Sequence, residues 1–187
     1  HRIYTQNIYN NFKYLKVCLD NHYTQLKNAP QVDIVMPTFQ RAHVISKAID
    51  SCLLQTHSKW KLYVCDDGSD DGTEEMLKNK YSHDHRIIYI RLNHQGVSEA
   101  RNAGLYRSES DYIAFLDSDN TWDENYLKLM LSYMECYSLE SAYCQISLQD
   151  DNNHIRDFRG DMFSWQSCLK QNYIDLNCFM HRGHLYM

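Results

Sequence analysis

From Val32 onward, short apolar runs alternate with amphipathic stretches along the chain. The runs at 32–36, 61–65, 86–92 and 112–116 have the length and the β-branched and aromatic content of strands. Between the first two, Val44, Ile45, Ala48, Ile49, Cys52 and Leu53 recur at helical spacing, as do Leu127, Met130, Leu131 and Met134 further on. Another helix is expected near Asp71-Gly72-Thr73-Glu74-Glu75, where the positive end of the helix dipole favours acidic residues. This rhythm predicts βαβ units and an α/β fold, a mostly parallel sheet flanked by helices. Ahead of it, Ile8, Phe12, Leu15 and Leu19 predict a helical N-terminal extension over 1–30, leaving 31–187 for the α/β domain. After Ser141 the alternation weakens. A strand over 142–148, a polar turn at Asp150-Asp151-Asn152-Asn153 and a strand over 155–158 predict a hairpin.

Length and composition narrow the function classes. A chain of 187 residues suits one domain with a substantial core, and 43% hydrophobic and 13% aromatic content, with 15 tyrosines, argues against disorder. A net charge of -5 argues against a nucleic-acid partner. The seven cysteines form no C-x-x-C pair and several fall on apolar positions, so they read as buried thiols in a reducing compartment. No apolar run approaches the roughly 18 residues of a membrane span. The expected location is the cytoplasm, or the inner face of a membrane. The chain opens on His1 rather than Met, so a domain boundary is expected there.

Chemistry gathers where the strand-like runs end. The run Tyr112-Ile113-Ala114-Phe115-Leu116 stops at Asp117-Ser118-Asp119, two carboxylates one residue apart. Such oxygens suit hard cations like Mg²⁺ and Mn²⁺, which often combine one or two protein carboxylates with substrate phosphates. Three other polar clusters also follow strand ends: Pro37-Thr38-Phe39-Gln40-Arg41, Asp66 to Thr73, and Gly96 to Gly104. Ligands of open α/β sheets bind beyond the carboxyl ends of the strands, so one crevice would collect all four. Each cluster alone is equally a turn, because Asp, Gly, Ser and Asn form turns. An EF-hand reading with Asp67 first puts Lys78 at the twelfth position, where a bidentate Glu is needed, and is rejected. Asp67 is instead placed as an acceptor for a nucleobase N–H, with Phe39 offering a flat face. Arg101 fits a phosphate, or an ion pair with Glu99 or Asp111. His83 and His85 flank an Asp in a loop, and His181 and His184 stand near the chain end; lacking zinc spacing, they read as surface residues. Trp122, Trp165 and Tyr173 read as core or pocket wall.

Taken in order, these clusters resemble the family-2 glycosyltransferases of the GT-A fold. Pro37-Thr38-Phe39-Gln40-Arg41 resembles that family's P-T-Y-N-R turn, and Asp66-Asp67-Gly68-Ser69 with Asp71-Gly72-Thr73 resembles its D-D-G-S-x-D-G-T. Gly96-Val97-Ser98 with Ala100-Arg101-Asn102 resembles its G-x-S-x-A-R-N, and Asp117-Ser118-Asp119 its D-x-D. The resemblance implies a GT-A, Rossmann-like fold and a metal-dependent, inverting transfer of sugar from a nucleotide sugar, a UDP-sugar, to a glycan or lipid-linked acceptor in cell-surface polysaccharide synthesis. It further implies a nucleotide site built from Pro37, Thr38, Phe39, Arg41, Asp67, Gly96, Arg101, Asn102, Asp117 and Ser118. Within it Asp67 binds the base, Phe39 stacks on it, Asp117 faces the ribose or sugar, and Asp119 holds Mn²⁺ or Mg²⁺, with Asp117 as the further metal residue. The family's catalytic base lies downstream of a stretch matching Phe179-Met180-His181-Arg182. It is therefore expected beyond Met187, with the nearest carboxylate, Asp175, supporting the pocket and this fragment alone inactive. The competing reading is a non-catalytic nucleotide- or sugar-binding module. A nucleotidyltransferase would want a glycine-rich loop after the first strand, and residues 38–42 hold no glycine.

Overall fold

A computed structural model of the chain describes Leu19, Asn21, Tyr23, Thr24 and residues 28–150, 154–159 and 175–186. The alternation predicted from the sequence is realised as β1 (Val32–Thr38), α1 (Ile45–Leu53), β2 (Trp60–Asp66), α2 (Thr73–Tyr81), β3 (Ile87–Arg91), α3 (Val97–Leu105), β4 (Tyr112–Phe115) and α4 (Tyr126–Cys136). There follow β5 (Ser141–Tyr143), β6 (Ile146–Gln149), β7 (Ile155–Arg159) and β8 (Phe179–Arg182), with short 3-10 turns at Leu176–Cys178 and Gly183–Tyr186. The main sheet has the order β3-β2-β1-β4-β8-β5. β1 to β4 pair in parallel, and β8 runs antiparallel to both of its neighbours. The class is α/β, a mixed but mostly parallel six-stranded sheet flanked by helices.

Both faces of the sheet are covered, so its central strands are mostly apolar, and β1 is buried at every position, Asp33 included. On one face Val32, Ile34, Met36, Leu62, Val64 and Ala114 pack under Ile45 and Ile49 of α1 and Leu127, Leu131 and Met134 of α4. The alternate residues Val35, Tyr63, Cys65, Ile113 and Phe115 pack on the other face against Ala100, Ala103 and Leu105 of α3. Small residues let α3 lie close to the strands. A Cβ added to Gly104 would stand 2.7 Å from Val35 Cγ1. α4 has no side-chain cap of its own; Gln55 supplies one, its Oε1 accepting from the Leu127 N–H at 3.0 Å.

Several expectations change. The strand expected over 142–148 is two: β5 joins the main sheet, while β6 pairs with β7 in a separate two-stranded sheet. β8 is an additional strand, and it makes His181 a core residue rather than a surface one. Burial lowers the pKa of His181, and its ring lies 5.8 Å from both Phe115 and Phe179. The segment Gly96 to Gly104, equally a turn on its sequence, is mostly helix. Of the thiols, Cys52, Cys65 and Cys178 are buried, whereas Cys136, at the last turn of α4, is exposed and Cys144 half-buried. Of the predicted N-terminal helix, Leu19, Asn21, Tyr23 and Thr24 are helical, and Leu19 is buried. Ile8, Phe12, Leu15, Trp165 and Tyr173 lie outside the described residues. Among the described residues no helix is long and apolar enough to cross a membrane.

Candidate functional site

The connection after β3 crosses β1 to reach β4 on its other side, so the strand order reverses at β1. A crevice opens at such a reversal, beyond the carboxyl ends of the strands. A cavity of about 410 Å³ lies there, lined by Pro37 and Thr38 at the end of β1, Phe39 and Arg41 after it, Asp67 after β2, and His94, Gly96, Val97, Ala100 and Arg101 around the start of α3. Asp117, Ser118 and Asp119 after β4 complete the wall. Of the site residues expected from the sequence, Asn102 alone is not among them. It is one position past Arg101, about 100° around the helix, and its Nδ2 donates to Glu99 Oε1 at 3.4 Å.

Most of the acidic loop after β2 braces the site from behind. Asp66 is buried, and its Oδ1 accepts from the Ser69 N–H at 2.9 Å and its Oδ2 from the Tyr89 hydroxyl at 2.6 Å. Burial and the Asp66 carboxylate push the Tyr89 phenol up. Asp71 holds the turn after β1, its Oδ2 accepting from the Ala42 N–H at 2.8 Å while Oδ1 accepts from the Thr73 hydroxyl and N–H. Burial alone would raise Asp71, but these hydrogen bonds hold it below the usual carboxylate range. Gln40, at φ 57, is in the left-handed region, held by a 2.8 Å bond from its N–H to Ser69 Oγ and by its side chain on Asp70.

Asp67 faces the cavity and is only 4% exposed. Its Oδ1 accepts from the Gln95 N–H at 2.6 Å and its Oδ2 from the Gly96 N–H at 2.9 Å, so it also fastens the loop that starts α3. His94 in that loop lies against Phe39, ring centroids 4.5 Å apart and 31° from parallel. The sequence reading missed His94, for which a ring placed just before Gly96 is the only signal.

Arg101 pairs with neither Glu99 nor Asp111. Its Nη2 donates to Asp117 Oδ1 at 2.8 Å, because one turn into α3 its side chain spans the mouth of β1 toward β4. Asp119 is half-exposed, with Arg41 Nη2 3.5 Å from its Oδ2. Two buried polar atoms of the lining, Thr38 Oγ1 and Arg101 Nε, have no hydrogen-bond partner. Unpaired buried polar atoms are rare and costly, so these two mark the cavity wall as incompletely satisfied by the protein itself. Among the described residues no group of three or more His, Cys, Asp or Glu side chains is arranged to hold an ion.

Comparison with known proteins agrees with this geometry. The profile of the family described as Glycosyl transferase family 2 matches residues 33–182. The Escherichia coli protein named UDP-Glc:alpha-D-GlcNAc-diphosphoundecaprenol beta-1,3-glucosyltransferase WfgD is 35% identical over 128 residues, which cover 68% of this chain and 50% of that protein. The chain thus spans half that relative's length. Among solved structures, S. aureus TarS 1-349 matches with a TM-score of 0.63 and 19% identity, over 83% of this chain and 48% of that one. Its complex with UDP-GlcNAc matches at 0.56 and 22% identity, over 59% and 33%. The mannosyltransferase PcManGT from Pyrobaculum calidifontis, in complex with GDP-Man and Mn2+, matches at 0.59 and 16% identity, over 76% and 45%.

Proposed function

The chain belongs to glycosyl transferase family 2, and on that premise we propose that its cavity binds the nucleotide part of a sugar donor, a UDP-sugar, for inverting transfer to a glycan or lipid-linked acceptor. One observation carries the reading. At the reversal of strand order, guanidinium, carboxylate and aromatic groups converge around two buried polar atoms without partners, Thr38 Oγ1 and Arg101 Nε. Phe39 and His94 offer ring faces for a base, Asp67 an acceptor for its N–H, and Arg41 and Arg101 donors for a diphosphate. The UDP-Glc in the name of WfgD and the UDP-GlcNAc complex of TarS support uridine as the nucleoside.

The donor set fits a divalent cation, Mn²⁺ or Mg²⁺, of the hard kind that takes few protein ligands. Both oxygens of Asp117 already accept hydrogen bonds, from Arg101 and Asn177, which leaves Asp119 as the carboxylate for the ion, with diphosphate oxygens and water filling the shell. Held there, such an ion would supply charge neutralisation to the nucleoside diphosphate leaving group. The non-catalytic binding module remains a second reading, favoured by the engagement of every cavity carboxylate with a protein partner. Titration calorimetry of the 187-residue chain with UDP, with and without Mn²⁺, tests the site. Binding of UDP in preference to CDP, strengthened by Mn²⁺, is expected, and no binding of any nucleoside diphosphate would refute it. A screen of nucleotide sugars against the longest form of the protein then identifies the donor.

A further inference from the structure

Asn177 sits in the 3-10 turn Leu176–Cys178 that feeds β8, and it is 8% exposed. Its side-chain amide meets Asp117 twice across 60 residues of sequence: Oδ1 accepts from the Asp117 N–H at 2.6 Å, and Nδ2 donates to Asp117 Oδ2 at 3.2 Å. The orientation of the amide follows from its partners. The Asp117 N–H only donates and so faces oxygen, while Asp175 Oδ1, an acceptor 2.7 Å from Nδ2, faces nitrogen. The same Asp175 oxygen accepts from the Asn177 N–H at 2.9 Å, and the Asn177 carbonyl accepts from Trp122 Nε1 at 2.7 Å. One buried residue therefore holds both ends of the turn that carries Ser118 and Asp119: Asp117 through its side chain, Trp122 through its main chain.

Resting on the reading of the cavity above, we propose that Asn177 is a positioning residue of the nucleotide-sugar site, one that sets the Asp117 carboxylate against the donor. With Arg101 on Oδ1 and Asn177 on Oδ2, the carboxylate plane has a partner on each oxygen and cannot rotate without losing one. Its remaining lone pairs then face the cavity in one orientation, ready for donor groups such as sugar or ribose hydroxyls. Without Asn177, the carboxylate has Arg101 as its one side-chain partner among the described residues and turns with it, so a ligand must order both on binding. Asp175 acts one step further back, fixing the amide of Asn177 rather than meeting the ligand.

The experiment is a double-mutant cycle on UDP affinity, measured by calorimetry with Mn²⁺ for the 187-residue chain and for N177A, D117A and D117A/N177A, each accompanied by a thermal melt. N177A is expected to weaken UDP about tenfold, equivalent to 1.4 kcal/mol. In the D117A background the same change is expected to alter affinity less than about twofold. A general effect on the fold would instead give equal losses in both backgrounds, and that result, like wild-type affinity in N177A, overturns the proposal. If N177A does not fold, N177S takes its place in the cycle. Its hydroxyl is too short to span both partners, so it is expected to lose affinity several-fold, and wild-type affinity would again overturn the proposal. Failure of the unsubstituted chain to bind UDP would instead overturn the cavity reading, and this inference with it.

Discussion

Asp119 and Asp67 carry opposite risks when replaced. Asp119 is half-exposed and its one described ion-pair partner, Arg41, is equally open to solvent, so its loss leaves nothing stranded in the core. Asp119→Asn is expected to remove the Mn²⁺-dependent part of UDP affinity while the melting temperature stays unchanged; undiminished Mn²⁺ dependence in calorimetry would move the ion elsewhere. Asp67 is buried and holds two backbone N–H groups as well as facing the cavity. Asp67→Ala strands those donors, at a cost of roughly 1–3 kcal/mol. It is expected to weaken UDP about tenfold or more and to lower the melting temperature too. The informative quantity is therefore the ratio of UDP to CDP affinity, which falls toward unity if Asp67 reads uracil and is unchanged if it only fastens the loop. That double duty was not legible in the sequence. D-D-G-S marks a turn and an acceptor, but the partners of Asp67 stand 28 and 29 residues away. Asn177 was invisible for the same reason, since its neighbours in sequence say nothing about Asp117.

The helices and strands explain which parts of the fold the sequence disclosed. β1, β2 and β4 are buried apolar runs that end in turn formers, and α1 and α4 carry long apolar stripes, so local pattern and tertiary role agree. α3 was harder to see because close packing, not hydrophobicity, selects Ala100, Ala103 and Gly104. β8 hid because it is four residues long and contains His181 and Arg182. The close packing of α3 is testable. A methyl group at Gly104 would meet Val35 Cγ1 at 2.7 Å and Cys65 Sγ at 3.1 Å, so Gly104→Ala is expected to destabilise the chain by about 1–3 kcal/mol in urea denaturation. Because α3 carries Arg101, UDP affinity should fall with it. A second test concerns His57, fully buried in the segment between α1 and β2, beside Tyr23. Its Nε2 lies 2.9 Å from the Lys59 carbonyl and so carries the proton, leaving Nδ1 to accept from the Tyr23 hydroxyl at 2.6 Å. Burial holds its pKa below the ordinary 6.5. The unfolded chain therefore takes up this proton first, and the stability contributed by neutral His57 is complete above about pH 6.5 and lost as pH falls. The melting-temperature advantage of the wild type over His57→Gln should narrow between about pH 7 and pH 5, and a constant difference would show that protonation of His57 is not linked to folding.

For the chain as a whole, binding and transfer make different demands. Binding needs the converged clusters after β1, β2, β3 and β4, and these lie together at one reversal of strand order. Transfer additionally needs a general base within hydrogen-bond reach of the acceptor hydroxyl. Among the described residues, each carboxylate lining the cavity is already occupied: Asp67 by two backbone N–H groups, Asp117 by Arg101 and Asn177, Asp119 by Arg41. Asp175, the nearest further candidate, spends one oxygen on the backbone and side chain of Asn177. The lone pairs that the cavity carboxylates still turn to the cavity go, on the proposed reading, to the donor and its ion, Asp67 to the base, Asp117 to hydroxyls and Asp119 to the cation, and a group so engaged does not take a proton from the acceptor hydroxyl. The 187-residue chain is therefore expected to bind UDP with Mn²⁺ yet release no free UDP from a UDP-sugar in the presence of acceptor at rates typical of enzymes, on the order of 1 s⁻¹ or faster. A coupled assay for UDP release, run beside calorimetry on the same preparation, separates the two demands. Binding without turnover fits a nucleotide site in which the described carboxylates supply no base. Turnover at an enzymatic rate would mean that a carboxylate within the 187 residues serves as the base, and Asp175→Asn would then be the first variant to test among the described ones.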